Sequence, residues 1–286
     1  MDLGQTPLGD WPSHDRAEGI DIDSATLRRN NVHEEGNSGG QPMLFAHGFG
    51  CDQNMWRHVW PAFAEDHRIV LFDHVGAGGS DLTAFDPEKY GSLDGYAADI
   101  LDVCRALDLE DVVFVGHSVA SIMGVLAAVE EPKRFSKLVL VGPSPRYEND
   151  GEYVGGFARD DIDALLSSLE ANYLGWSAAT APLIMGTPDR PDLEEELTNS
   201  FCRTDPDIAR HFARVTFLSD NRADLAKVTT PTLVLQCSQD AIAPTPVGEY
   251  VHGEIARSTL VHLRATGHCP NLSAPGETIE AIRAFL

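Results

Sequence analysis

The sequence predicts an α/β protein, a mainly parallel sheet flanked by helices with an inserted helical cap, and three observations carry that prediction. Short apolar runs at Met43 to Ala46, Ile69 to Phe72, Val112 to Val115 and Lys137 to Val141 alternate with helical patterns at Leu93 to Leu107 and Val119 to Glu130. That alternation is the rhythm of strand, crossover helix and parallel strand. From about Pro145 to Leu218 the rhythm stops and helical patterns follow one another, after which strand-like runs return at Thr232 to Cys237 and Thr259 to Leu263.

In chain order, residues 1–23 are polar, acidic and without apolar periodicity, which predicts a disordered acidic tail. Residues 24–144 are the first part of the core. It opens with Thr26 to Glu34 as a short edge hairpin and turns helical around Trp56, over Met55 to Phe63. Residues 145–218 form the cap, with helices expected at Asp161 to Tyr173, Gly175 to Met185, Pro191 to Cys202 and Asp205 to Leu218. Pro191 and the acidic residues Asp192 to Glu196 suit a first helical turn, as do Asp205 and Asp207. The insertion is expected after the sixth strand, and residues 219–286 complete the core.

The chemistry is concentrated at Val112-Val113-Phe114-Val115-Gly116-His117-Ser118-Val119-Ala120, where a β-type run breaks at a glycine and presents one serine before a helix. On so tight a turn the residues two before and two after the nucleophile must be small, and Gly116 and Ala120 are. A serine hydroxyl needs a base within hydrogen-bond reach and a carboxylate to orient that base. Asp240 follows the run Thr232 to Cys237, and His268 follows the run Thr259 to Leu263. Alone, Asp240 reads as a solvated turn residue and His268 as one structural histidine among eleven. Each, however, lies just past a strand end, where open α/β sheets place their sites. His117 points away from its neighbour on the turn and reads as packing, while His47 reads as part of a backbone turn.

Acyl transfer also needs two donors aimed at the developing oxyanion, worth about 3 kcal/mol each. Val119 N–H at the helix start supplies one, and Phe49 N–H in the loop His47-Gly48-Phe49-Gly50 is the expected second. Phe157, Trp176 and Phe217 are the cap residues expected to face the pocket. The run Gly76-Ala77-Gly78-Gly79 lacks the glycine spacing and following helix of a dinucleotide site, so no cofactor is expected.

The order serine, aspartate, histidine is that of α/β-hydrolases, and the wider motifs are more specific. HGFGCDQNMW at 47–56, FDHVGAGGSD at 72–81, LDGYAADILDVCRALDL at 93–109, FVGHSVASIMG at 114–124, LVGPSPRY at 140–147, QCSQDAIAP at 236–244 and GHCP at 267–270 resemble the RsbQ type of α/β-hydrolase. These are bacterial regulators of a stress sigma factor, with relatives among the karrikin and strigolactone receptors. The resemblance runs from about residue 24 to the end, and it departs from the subgroup only where Ser121 replaces the common glycine or other small residue. It implies Ser118, His268 and Asp240 as the triad, Phe49 and Val119 at the oxyanion hole, and a PAS-domain phosphatase as a possible partner.

Composition agrees. A chain of 286 residues, 43% apolar, suits one α/β domain with an insertion. Cys51, Cys104, Cys202, Cys237 and Cys269 are scattered and lack CxxC spacing, which predicts a reducing cytoplasm, no disulfide scaffold and no metal site. Cys269, beside His268, reads as a buried structural thiol. No run has the roughly 18 apolar residues of a membrane helix, and the first residues lack the basic and apolar blocks of a secretory signal. A net charge of -23 opposes nucleic acid and anionic lipid, favours a neutral substrate, and resembles adaptation to high salt. The sequence therefore predicts a cytoplasmic serine hydrolase acting on a small neutral ester, lactone or enol-ether-like compound. The alternatives are a slow-turnover receptor or signalling module acting on a partner phosphatase, and a carbon-carbon bond hydrolase on the same triad.

Overall fold

A computed structural model describes residues 22–286. The chain runs through α1 (Ile22–Arg29), β1 (His33–Gly36), β2 (Gln41–Ala46), β3 (His67–Leu71), α2 (Leu93–Ala106), β4 (Val112–His117), α3 (Val119–Glu130) and β5 (Phe135–Val141). It then leaves the sheet for α4 (Arg159–Ala171), α5 (Tyr173–Met185), α6 (Pro191–Arg203) and α7 (Pro206–Phe217). After α8 (Arg222–Leu225) it returns through β6 (Thr232–Gln239), α9 (Thr245–Glu254), β7 (Ser258–Thr266), α10 (Pro270–Ser273) and α11 (Pro275–Phe285). The tail expected over 1–23 lies outside the described residues except for Ile22 and Asp23, which open α1.

The seven strands lie in the order β1-β3-β2-β4-β5-β6-β7. β1 pairs antiparallel with β3 and every other pairing is parallel. This is an α/β-hydrolase fold with an inserted helical segment, α4 to α7. Because side chains alternate along a strand, Met43 and Phe45 of β2 and Val113 and Val115 of β4 enter one apolar layer, while Leu44, Ala46, Val112 and Phe114 enter the other. The first layer is shared with the insertion, since Ile162, Leu166, Leu197, Phe201 and Phe217 pack into it. Each such side chain removed from water contributes about 1.5–3 kcal/mol, so the cap is held by a common core rather than by a hinge alone.

Three expectations are corrected. The hairpin expected at Thr26 to Glu34 is a helix followed by a single strand, so the insertion follows the fifth strand and not the sixth. Asp23 lies in the first turn of α1 and Arg28 and Arg29 in its last, which suits the helix dipole. Arg29 also reaches Asp99 at 3.0 Å and Asp102 at 3.1 Å on α2, a tertiary anchor that local β propensity does not reveal. The helix expected over Met55 to Phe63 is two short 3-10 turns, Gln53–Trp56 and Trp60–Ala62. Pro61 disfavours the α conformation at Trp60 and removes a backbone donor, while Trp56 is fully buried against Phe45, ring centroids 5.3 Å apart.

Helix starts follow the capping chemistry. The Ser92 hydroxyl accepts from Asp94 N at the start of α2. Asp205 accepts from Asp207 N and Ile208 N at the start of α7, 2.9 and 3.2 Å away. Caps of this kind contribute about 1 kcal/mol each. Among the described residues no helix is long and apolar enough to cross a membrane.

Candidate active site

β4 ends at the centre of the sheet and the chain reverses at Ser118, which has φ 57 and ψ -126. This is left-handed backbone for a residue with a side chain, a strained state that surrounding contacts must hold. Ser118 N–H donates to Val141 O at 2.8 Å, and the Ser121 hydroxyl donates to Gly116 O at 2.8 Å. A Cβ on Gly116 would lie 2.8 Å from Ala120 O, so the turn closes only with glycine there. Ser121 thus has a task of its own, bracing the turn from inside.

Ser118, His268 and Asp240 form one hydrogen-bonded chain, although β4, β6 and β7 supply them separately. The Ser118 hydroxyl donates to His268 Nε2 at 2.7 Å, and His268 Nδ1–H donates to Asp240 Oδ2 at 2.7 Å. The other carboxylate oxygen, Asp240 Oδ1, accepts from Ile242 N at 2.8 Å and Ala243 N at 3.0 Å. Burial alone would raise the Asp240 carboxyl, yet the neighbouring His268 and the two amides hold it below its usual range. A register shift between Cys237 and Gln239 in the β6–β7 pairing falls just before Asp240, the kind of irregularity that re-aims a side chain. All three residues are buried.

The loop carrying Phe49 crosses directly over the elbow. A Cβ on Gly48 would lie 2.6 Å from His117 Nδ1 and 3.3 Å from Ser118 Cβ. Val119 opens α3, where the first N–H groups have no acceptor within the helix. Phe49 lines the same cavity as Ser118, and Val119 follows Ser118 directly in the chain.

His47 is more than part of a turn. It is fully buried, its Nε2 accepts from His74 N–H at 3.1 Å, and its carbonyl accepts from His74 Nε2–H at 3.0 Å. Burial holds the His74 imidazole well below its usual range, with His47 adding to the effect, and the two hydrogen bonds tie the loop to His74. His117 Nε2–H donates to His268 O at 2.7 Å, and burial lowers this imidazole to about 3. It stays neutral and supports the base from behind. The run Gly76 to Gly79 wraps a carboxylate rather than a phosphate. Asp73 Oδ2 accepts from Gly79 N at 2.8 Å, and a Cβ on Gly78 would lie 2.4 Å from the same oxygen.

Over Ser118 the cap closes a cavity of about 40 Å³. Trp176 and Phe217 line it, with Phe49, Tyr147, Leu165, Ile184, Leu197 and Phe201. Phe157 does not line it; its ring instead meets Phe217, centroids 6.3 Å apart. Tyr147, unremarked in the sequence beyond its place at the end of LVGPSPRY, is buried and interacts with Ser118, while burial pushes its phenol upward. Cys269 and Cys51 also border the cavity, and burial raises both thiols, Cys51 to about 12. Neither is a thiolate at neutral pH. Wider clefts of about 610 and 540 Å³ exist, but none of Ser118, Asp240 or His268 lines them. Ligand sites usually measure about 300–1,000 Å³, so this cavity is small for a ligand site.

The profile of a family described as the alpha/beta hydrolase fold matches residues 41–275. The chain is 39% identical over 246 residues to the karrikin insensitive 2 receptor IA of Petunia hybrida, covering 86% of this chain and 90% of that protein. It is 38% identical over 250 residues to the strigolactone esterase D14 of Arabidopsis thaliana, covering 87% and 93%. A solved hydrolase from Oleispira antarctica superimposes with a TM-score of 0.89 at 40% identity, covering 92% of this chain and 96% of that one. With a serine, a histidine and an aspartate joined at the strand ends of that fold, the chain belongs to the α/β-hydrolase family and is a serine hydrolase.

Proposed function

We propose that the protein hydrolyses a small neutral ester, lactone or similar compound through Ser118, His268 and Asp240. The observation that carries this is the unbroken hydrogen-bonded chain from Ser118 Oγ through the imidazole to Asp240 Oδ2, both links 2.7 Å. Ser118 Oγ attacks the carbonyl carbon as His268 Nε2 takes its proton. Asp240 holds the Nδ1–H tautomer and stabilises the imidazolium. The N–H groups of Phe49 and Val119 receive the oxyanion. His268 then returns the proton to the leaving alcohol. Water, deprotonated by the same nitrogen, releases the acid and restores Ser118.

The apolar lining by Trp176 and Phe217 supports a compact, uncharged substrate, and a surface of net charge -23 supports exclusion of anions. Five cysteines without a disulfide support a reducing compartment such as the cytoplasm.

A second reading, a slow-turnover receptor whose output is a protein contact, is favoured by the 39% identity to a karrikin insensitive receptor. The RsbQ-type motifs extend it to stress signalling through a PAS-domain phosphatase. The experiment that separates the readings combines fluorophosphonate labelling, turnover on a panel of short esters and lactones, and capture of that phosphatase. Ser118→Ala should abolish labelling and lower turnover by about a thousandfold or more. Labelling that survives in Ser118→Ala removes the nucleophile from its role, and phosphatase activation that survives with turnover abolished favours the receptor.

A further inference from the structure

Thr216 occupies the last turn of α7 and lines the cavity over Ser118. It is 2% exposed, and its hydroxyl has no hydrogen-bond partner. A threonine in a helix usually returns its hydroxyl to the carbonyl four residues earlier. Thr198 does so to Glu194 O at 2.8 Å and Thr278 to Ala274 O at 3.1 Å. Thr216 instead keeps a buried polar atom unpaired at a mostly apolar wall, shared with the rings of Phe49, Trp176 and Phe217, the side chains of Leu165 and Ile184, and a second threonine, Thr180. Buried hydroxyls without partners are uncommon because desolvation is then uncompensated. A valine would fill the same volume without that cost.

We propose that the Thr216 hydroxyl is a specificity element that donates a hydrogen bond to an ether or carbonyl oxygen of the substrate, away from the scissile carbonyl. This rests on the serine hydrolase reading and narrows its substrate class to esters or lactones bearing a second oxygen function. Water satisfies such an oxygen in solution, so a pocket of rings alone would reject it. With Thr216 present the oxygen keeps a partner when the cap closes. A purely hydrocarbon acyl group leaves the hydroxyl unpaired, which is how polar sites discriminate against analogues lacking the matching atom.

The test compares p-nitrophenyl 3-methoxypropanoate and 4-oxopentanoate with p-nitrophenyl pentanoate in the wild type, Thr216→Val and Thr216→Ser. Rate ratios between variants cancel the intrinsic reactivity of each ester. The wild type should prefer at least one oxygenated ester over pentanoate by about tenfold in kcat/KM relative to Thr216→Val, the scale of one hydrogen bond. Thr216→Val should lower kcat/KM on the oxygenated ester more than on pentanoate, and Thr216→Ser should restore the preference. Dissociation constants of the same esters for Ser118→Ala, with and without Thr216→Val, give the same ratio where turnover is slow. Equal ratios in wild type and Thr216→Val overturn the proposal even when pentanoate is cleaved normally. Loss of Ser118 labelling and of all turnover, with the binding preference intact, instead overturns the hydrolase reading and spares Thr216.

Discussion

The backbone N–H of His268 donates to the carbonyl oxygen of Ile184 at 2.8 Å. Ile184 lies in the last turn of α5, where carbonyls have no partner within the helix, so the cap satisfies its own helix end on the residue proposed as base. Beside this bond the Thr266 hydroxyl donates to Gly186 O at 3.0 Å. Gly186 and Gly267 meet so closely that a Cβ on Gly186 would lie 2.7 Å from Gly267 Cα. Cap position and imidazole position are therefore one mechanical variable.

Gly267→Ala tests this coupling. Gly267 has φ +78, and a Cβ there would lie 1.8 Å from Met185 O, so α5 must withdraw or the His268 loop must shift. The expected outcome is a fall in kcat/KM of about a hundredfold, as follows from displacing a catalytic group by about 1 Å, with a lowered Tm. Activity within threefold of wild type would show that the contact is slack.

Asp240→Asn should keep the fold, because the amide replaces the carboxylate with nearly the same shape and its oxygen can still accept from Ile242 and Ala243. Turnover should fall by about 10⁴, since an amide cannot stabilise the imidazolium and selects the wrong tautomer. Circular dichroism and thermal melting check the fold, steady-state kinetics the rate. A loss below tenfold would point to a different carboxylate.

Acyl-chain length reads the cap. Added methylenes gain about 25 cal/mol per Å² only while the ligand fits, after which they meet packed side chains. On p-nitrophenyl esters kcat/KM should peak at short chains and fall steeply by about C8. Trp176 stacks on Phe201 with centroids 5.6 Å apart, so Trp176→Ala should move the optimum to longer chains. Truncating this buried ring also costs about 3 kcal/mol, and the assay belongs well below the variant's Tm. Esters of about C12 cleaved as well as acetate by the wild type would replace the closed cap with an open groove.

Acid should loosen the junction where the insertion leaves and rejoins the core. Asp220 accepts from Arg222 at 2.7 Å and Arg146 at 2.7 Å, and Arg222 also reaches Asp150 at 2.8 Å. The hydrogen bond from Arg222 lowers the Asp220 carboxyl from 3.8 to about 2, against a smaller opposing effect of burial and with Arg146 adding to it. A folded-state pKa below the unfolded one stabilises above the unfolded value and is lost as pH falls through the folded value. The urea midpoint of Asp220→Asn should thus lie below wild type by a constant amount above about pH 5, with the gap shrinking below about pH 4 and closing near pH 2. A gap independent of pH would show that the charge of Asp220 contributes nothing. High salt should narrow it, because the pair is partly exposed to solvent.

The nucleophile turn was legible from residue types alone, because a strand running into a helix through Gly116 and Ala120 admits few geometries. The positions of Asp240 and His268 after the last two strands were legible for a related reason: parallel strands all end on one side of the sheet, so residues far apart in sequence converge there. Cap helices were legible from periodicity, and their observed ends fall within two residues of those expected.

Other features depend on contacts between distant segments and needed the folded chain. The α1 segment reads locally as part of an edge hairpin, and only the fold shows a helix whose Arg29 meets Asp99. The glycines of the 76–79 run read only as a failed dinucleotide fingerprint until the Asp73 carboxylate is seen among them. Phe157, Trp176 and Phe217 carry the same aromatic signal in the sequence, yet only Trp176 and Phe217 line the cavity. The unpaired hydroxyl of Thr216 has no sequence signature, since a threonine at a helix end ordinarily bonds its own backbone. By itself the sequence determined which groups can react and at which strand ends they stand, because that follows from backbone periodicity and turn sterics. Only the tertiary structure decided which side chains enclose Ser118 and what holds His268 in place, because packing is set by the simultaneous fit of segments that share no local pattern.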